Sequence, residues 1–333
     1  MSKSVLVTGG AGYVGSHCCR AFADAGWRVS VFDNLSRGWR DFVRWGSLIE
    51  GDLLDRSSIQ TALEVVKPDA VAHFAAFAYV GESVSNPAIY YANNVTGTLN
   101  LLEGMRATGV DKIVFSSTCA TYGVPTQVPI DETHPQHPIN PYGRSKLMVE
   151  RILADYAAAH GIAHVALRYF NAAGADPSGE FGERHEPETH VIPLAIVAAM
   201  RGDDGFQIFG DDFDTRDGTA VRDYIHVADL ADAHLKALAY LQYGGASDVF
   251  NLGTGVGTTV AEIAAAVERR SGRPLARTVV GRREGDPPAL VAAADKARRL
   301  LGWMAAQSDI DNIVQTAWRW HEREAAMNSP QVS

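Results

Sequence analysis

Residues 7–17 read "VTGGAGYVGSH". The stretch holds Gly10-x-Gly12-x-x-Gly15 and, overlapping it, Gly9-x-x-Gly12-x-x-Gly15. It follows the apolar run "SVLVTG" (4–9) and opens a helix-like segment over 14–25. Glycines in that position let the backbone turn tightly and approach a pyrophosphate. The helix start then offers free N–H groups and the positive end of its dipole. Asp33 closes the next apolar run, "VSVFD" (29–33), where a carboxylate suits the ribose 2′-hydroxyl of NAD and repels the 2′-phosphate of NADP. Strand, turn, helix and acidic residue together predict a dinucleotide site. Arg37 and Arg40 lie near enough in sequence to leave NADP open.

Outward from this motif the pattern repeats. "AVAHFAA" (70–76), "KIVFSS" (112–117) and "HVALRYF" (164–170) read as strands buried on both faces, because they are apolar without strict alternation. Helix-like stretches over 57–66, 92–107 and 142–159 separate them. Such alternation predicts an α/β fold, a Rossmann-like, doubly wound parallel sheet. "EGDLLD" (50–55) follows a third expected strand and places Asp52 toward the adenine edge. After residue 170 the chain changes character. Residues 171–190, "NAAGADPSGEFGERHEPETH", are rich in Gly, Pro and charge. Residues 227–243 resume an amphipathic helix. The expected division is a dinucleotide domain over 1–170, with a return segment near 221–252, and a smaller mixed α/β substrate domain over 171–330. The final six or so residues read as a frayed tail.

Composition narrows the class. The net charge of −9 argues against nucleic acid or an anionic membrane as partner. Three cysteines, with Cys18 and Cys19 adjacent, make no disulfide framework and suit a reducing cytoplasm. No signal-peptide pattern opens the sequence, and no apolar run approaches the ~18 residues of a membrane span.

"NPYGRSKLMVE" (140–150) carries the chemistry. Asn140 is a good N-cap and Pro141 is favoured at the first helical position, so a helix starts here. Tyr142 and Lys146, four apart, then share one face. "FSSTCATYG" (115–123) ends a sheet strand, where open α/β sheets place their ligands. "LRYFNAAGADPSG" (167–179) and "GTAVRDYIHVADLADAH" (218–234) follow in order.

Together these five motifs resemble the extended short-chain dehydrogenase/reductase family, and within it the UDP-glucose 4-epimerases, over about residues 1–320. The resemblance implies an isomerase with NAD bound throughout, a UDP-sugar substrate and a homodimer formed through a helix pair. It implies that Tyr142 is the catalytic base, Lys146 its partner and Thr118 the hydroxyl that orients the sugar 4-hydroxyl. It places Gly9, Gly12, Tyr13, Val14, Gly15, Asp33, Asn34, Asp52, Leu53, Phe74, Ala75, Asn93 and Phe170 around NAD, along with Tyr142 and Lys146. The UDP group and sugar fall to Asn171, His190, Val191, Gln207, Phe209, Arg222, Tyr224, Arg283, Asp286 and Leu290, with Thr118 and Tyr142.

The sequence departs from that family at two points. Ala78 stands where many epimerases have a lysine on the cofactor, and His190 stands where they have an asparagine. "STCATYG" and "INPYG" also resemble the UDP-xylose 4-epimerases, so a UDP-xylose/UDP-arabinose reaction is the alternative. A nucleotide-sugar dehydratase needs an acid to expel the C6 hydroxyl. Related dehydratases carry Asp-Glu just after the threonine, where this chain has Cys119 and Ala120. A non-catalytic NAD-sensing module has no need of the Tyr142, Lys146 and Thr118 set. A tyrosine titrates near ~10 in water, and Lys146 with a positive nicotinamide ring is expected to lower it. "HEPETH" (185–190) sets two histidines five apart around Pro187, so a helical HExxH metal pair fails and no metal is expected.

Overall fold

The computed structural model describes residues 3–202, 205–283 and 286–328; the expected tail beyond 328 lies outside them. The strands β1 (Ser4–Thr8), β2 (Arg28–Asp33), β3 (Ser47–Glu50), β4 (Ala70–His73), β5 (Lys112–Thr118) and β6 (Ala163–Tyr169) join Asp248–Leu252 in one sheet. Its order is Asp248–Leu252, β6, β5, β4, β1, β2, β3, and every pairing is parallel. This is the doubly wound sheet read from the sequence.

Both faces are covered, which is why the strands lack polar alternation. Val5, Val7, Val31, Val114, Val165 and Leu167 point to one face, packed with Cys18, Phe22, Leu230 and Leu238. Leu6, Phe32, Ile113, Phe115 and Ala166 point to the other, packed with Ile59, Leu63, Leu101, Val149 and Leu153. The first layer is built on helices Tyr13–Asp24 and Val227–Gln242, the second on Arg56–Val66, Gly97–Thr108 and Pro141–His160. The strand order reverses between β1 and β4, so the loops after these two strands diverge and leave a crevice at their carboxyl ends.

A second core gathers Ile192, Ile196, Phe206, Ile208, Tyr224, Ile263, Val267, Ile313 and Trp318. It belongs to helices Val191–Arg201, Val260–Ser271 and Ile310–Asn328 with short strands between them. The chain also returns to the main sheet after residue 290. Ala297, Leu301 and Trp303 join the first sheet face, and the Trp303 indole donates to the Asp229 carbonyl at 2.8 Å.

Beneath the carboxyl ends of β5 and β6 lies a buried polar network. Arg168 donates to Glu150 through Nε at 2.9 Å and Nη2 at 2.5 Å, and through Nη1 to Tyr122 at 2.8 Å. The Ser117 hydroxyl donates to the same carboxylate at 2.5 Å. Glu150 sits one helical turn beyond Lys146, so this network fixes the rotation of the helix that carries Tyr142 and Lys146.

Candidate active site

The glycine-rich turn has little freedom at two of its positions. Gly9 holds φ +72°, and a Cβ there would stand 2.5 Å from the Ala75 amide nitrogen; a Cβ on Gly15 would strike the Gly9 carbonyl oxygen. Gly12 is the N-cap of helix Tyr13–Asp24, and no side chain caps it. A Cβ at Gly12 would meet only the Gly9 oxygen, at 3.3 Å, so the approach to the helix start is open. Gly9, Gly12, Asp33, Asn34, Leu53, Phe74, Ala75 and Asn93 all line the crevice at the strand-order reversal.

Asp33 accepts hydrogen bonds from the Ala11 amide at 3.0 Å and the Leu35 amide at 2.8 Å. Burial pushes its carboxyl up, against those two bonds. The two arginines that left NADP open are both engaged: Arg37 pairs with Glu82 at 2.6 Å, and Arg40 with Glu50. An open helix start, a glycine cradle, a buried carboxylate and two neutralised arginines fit NAD.

The other residues expected at the cofactor sit differently. The Tyr13 hydroxyl donates to the Gly174 carbonyl at 2.6 Å, which ties the glycine-rich turn to the 171–190 loop. Phe170 is buried in the core below the crevice, with Val14 packed against it. Gly15 contributes close packing. Asp52 accepts from Asn34 Nδ2 at 2.9 Å and from the Leu54 amide at 2.8 Å. Sequence reasoning missed Asn94, on a π-helical turn over Tyr91–Thr96. Its side chain bonds both backbone groups of Phe77, at 2.9 and 3.0 Å, and the Ser145 hydroxyl at 3.0 Å. A wide turn of this kind is the one local signal, and sequence does not display it.

Asn140 caps helix Pro141–His160, accepting from the Gly143 amide at 2.8 Å. Tyr142 and Lys146 therefore project together toward the end of β5. Lys146 Nζ donates to the Ser116 carbonyl at 2.8 Å and lies 6.0 Å from the centre of the Tyr142 ring. The Thr118 hydroxyl is near enough to lower the phenol's pKa. Burial dominates the electrostatics of this pair, and the expected lowering of the phenol also counts on the nicotinamide charge. Burial raises the Tyr142 pKa, Tyr169 adds to the rise, and the nearby Thr118 hydroxyl pulls it back only in part. Lys146 is itself buried, and desolvation brings it down to about 7 against the pull of Glu150. An ammonium so weakly protonated cannot hold a buried phenolate alone.

The residues expected at the substrate cluster by pairs. Arg222 and Leu290 are register partners in a short parallel pairing, and Asn171 pairs with Tyr224 in another. Arg222 forms an ion pair with Asp286. The Arg283 guanidinium lies 3.8 Å over the Phe209 ring, while Gln207 on the same strand is exposed. Glu284 and Gly285 of the "REGD" stretch lie outside the described residues. Arg222 also pulls on the Cys119 thiol, which burial otherwise drives up to about 12, so its charge reaches the residue beside Thr118. His190 stands just before helix Val191–Arg201, with Nδ1 2.7 Å from Glu188 and 2.9 Å from Glu183.

A doubly wound sheet with a glycine cradle, an acidic residue ending β2, and Tyr142, Lys146 and Thr118 at the carboxyl end of β5 defines an NAD-binding enzyme of nucleotide-sugar type. The chain belongs to the NAD dependent epimerase/dehydratase family, whose model matches residues 5–253. It is 57% identical to a UDP-glucose 4-epimerase of Rhizobium leguminosarum bv. trifolii over 321 residues, 96% of this chain and 98% of that protein. Among solved structures it is similar to the UDP-glucose 4-epimerase from Brucella ovis in complex with NAD. The TM-score is 0.93 at 51% identity, covering 95% of this chain and 98% of that one. A UDP-glucose-4-epimerase from Stenotrophomonas maltophila with bound NAD and formylated UDP-arabinopyranose matches with TM-score 0.94 at 38% identity, covering 98% and 99%. The resemblance read from the motifs is borne out. Among the described residues no helix is long and apolar enough to cross a membrane.

Proposed function

We propose that this chain is an NAD-dependent 4-epimerase that interconverts UDP-glucose and UDP-galactose. The observation that carries the reading is the convergence of Tyr142, Lys146 and Thr118 beside a crevice that fits NAD. Bound NAD supplies the acceptor and returning donor of the C4 hydride, and its positive ring favours phenolate nearby. Tyr142 takes the proton from the sugar 4-hydroxyl and gives it back after the 4-keto sugar has turned. Thr118, beside the phenol, orients that hydroxyl. Lys146 completes the charge the phenolate needs and is held by the Ser116 carbonyl. Arg222 and Arg283 suit a diphosphate because a guanidinium grips it bidentately. Arg222 must then exchange Asp286 for the substrate. Residues 1–170 with the return near 221–252 would serve the dinucleotide, and 171–330 the UDP-sugar. The buried Cys119 thiol and the Ala120 methyl supply no acid, which disfavours the dehydratase reading. The family likeness further supports a cytoplasmic homodimer, checked by the solution mass.

Incubating purified protein with UDP-galactose is expected to yield UDP-glucose without added cofactor, and absorbance of retained NAD(H) should accompany the protein. No conversion by protein that retains NAD(H) would overturn the reading. The pentose reaction is the alternative, and the Stenotrophomonas structure with its UDP-arabinopyranose derivative keeps it in view.

Two expected results refine the assignment. Asp33→Asn should narrow the preference for NAD over NADP by roughly tenfold, because a hydrogen bond to a charged group contributes ~1.5–3 kcal/mol. Binding of both dinucleotides to stripped protein measures it; an unchanged ratio removes Asp33 from the ribose. Leu290 is half-buried and in register with Arg222, which supports its proposed place in the sugar pocket. Leu290→Ser should gain on UDP-N-acetyl sugars relative to UDP-glucose, and Leu290→Tyr should lose them. Shape in an apolar pocket contributes only ~1–3 kcal/mol, so ratios of kcat/KM shift by roughly 10–200-fold at most. Identical ratios in all three proteins would place Leu290 elsewhere.

A further inference from the structure

We propose that Glu183, His185, Glu188 and His190 form a binding site for one divalent cation of the zinc class. No step of the sugar chemistry needs this site. One ligand atom from each residue falls within 4.8 Å of all the others. His190 Nδ1 is 2.7 Å from Glu188 Oε1 and 2.9 Å from Glu183 Oε1; His185 Nδ1 is 3.2 Å from Glu183 Oε1 and 3.7 Å from Glu188 Oε2. Four ligands at zinc's usual ~2.0–2.1 Å define a tetrahedron with edges of about 3.3 Å. The four imidazole–carboxylate separations, 2.7 to 3.7 Å, straddle that edge, and the remaining pairs lie within 4.8 Å, so a bound ion would draw the four groups together. Two imidazoles and two carboxylates are a donor set that zinc accepts, and four protein ligands close the shell as structural sites do.

Three further features favour a built site. The His185 Nδ1 is buried and faces both carboxylates without an aligned hydrogen bond, 3.2 Å from Glu183 and 3.7 Å from Glu188, so it points to the common centre. The Glu188 carboxylate is held by the backbone amides of Thr189 and His190, at 2.7 and 2.8 Å. The His185 ring is set by the edges of Tyr13 and Tyr79, with centroids 6.2 and 5.7 Å away. Oriented ligands of this kind lower the cost of assembling a metal site. The ligand spacing along the chain, two, three and two residues, follows an extended loop. That is why a search for a helical histidine pair passes over it.

Charge balance gives the proposal a second handle. Two carboxylates in a half-buried loop are neutralised either by two imidazolium protons or by one dication. The other groups facing the cluster are Tyr13, Tyr79 and His321, while Arg184 is taken by Asp41 and Glu324. A dication held by both imidazoles and both carboxylates neutralises the two carboxylates, and any proton on a ligating nitrogen must leave as the metal binds. Bound there, the ion fastens the 171–190 loop, which Tyr13 already joins to the glycine-rich turn through Gly174.

The test uses the tag-free full chain, stripped with a chelator, exposed to zinc chloride and freed of excess. About one zinc per chain should be retained, and titration calorimetry should show saturation at about one zinc per chain. Thermal unfolding should move up on zinc addition. His185→Gln and Glu188→Gln should each abolish retention. Cobalt in place of zinc, which needs no variant, should give the intense visible bands of a four-coordinate site. Failure to retain zinc overturns the proposal. Retention undiminished in folded His185→Gln, or only the weak bands of six-coordinate cobalt, places the metal elsewhere and overturns it equally.

Discussion

Tyr142→Phe should leave the fold and the NAD(H) content intact and lower turnover by at least ~10², the low end for losing a general base, with ~10⁴ as the upper end. The ring stays, so the packing of helix Pro141–His160 against β5 stays. What goes is the oxygen assigned to take the proton of the sugar 4-hydroxyl. The same geometry fixes a sign for pH. Burial holds the phenol protonated in the chain by itself, and only the phenolate is a base. Activity of the wild type should therefore fall as pH drops below the pKa set in the loaded enzyme. Whatever activity Tyr142→Phe retains should lose that dependence. Turnover of UDP-galactose across pH, beside a count of bound NAD(H), measures both. Near-normal turnover in the phenylalanine variant would sink the assignment of the base.

How far the sequence reaches depends on how local each feature is. The glycine-rich turn, Asp33 and the Asn140 cap are short-range devices, so their spacing sufficed to place a dinucleotide crevice and the start of the helix bearing Tyr142. The parallel sheet was legible because strands buried on both faces are apolar throughout. Features that depend on three-dimensional neighbours were not legible. Tyr13 lies in the glycine motif, yet its hydroxyl is spent on Gly174, 161 residues away in sequence. Arg222 and Asp286 both read as substrate groups and are found paired with each other. The aspartate beside Arg222, Asp223, is buried and bonded to Thr254 and the Ala292 amide instead. The largest gap is electrostatic. Sequence places an ammonium next to a phenol and suggests a depressed phenol pKa. Structure shows that both groups are desolvated, so burial wins over their mutual attraction until a further positive charge arrives.

Lys146→Met is expected to act in opposite directions on activity and on stability. Without the ammonium, the phenolate loses the positive side chain that shares its helix face, and turnover should fall by about 10² with the pH optimum displaced upward. Stability should rise. The lysine titrates near ~10.4 in the unfolded chain but at about 7 when folded, because burial outweighs the pull of Glu150. Between those values the unfolded state binds the extra proton, so wild-type stability increases with pH through the window. The penalty of the buried lysine is thus full below about pH 7 and gone above about pH 10.5. Methionine matches the stem without the charge. It forfeits the bond to the Ser116 carbonyl, a loss of ~1–3 kcal/mol that offsets part of the gain. The net effect should be a stabilisation of about 1–3 kcal/mol near pH 6, shrinking as pH rises and reversing once wild-type lysine is neutral in both states. Urea unfolding of both proteins at several pH values reads this directly. A methionine variant that is less stable at every pH would mean that Lys146 stays charged in the folded chain. Tyr142 would then feel a full ammonium even before the dinucleotide binds.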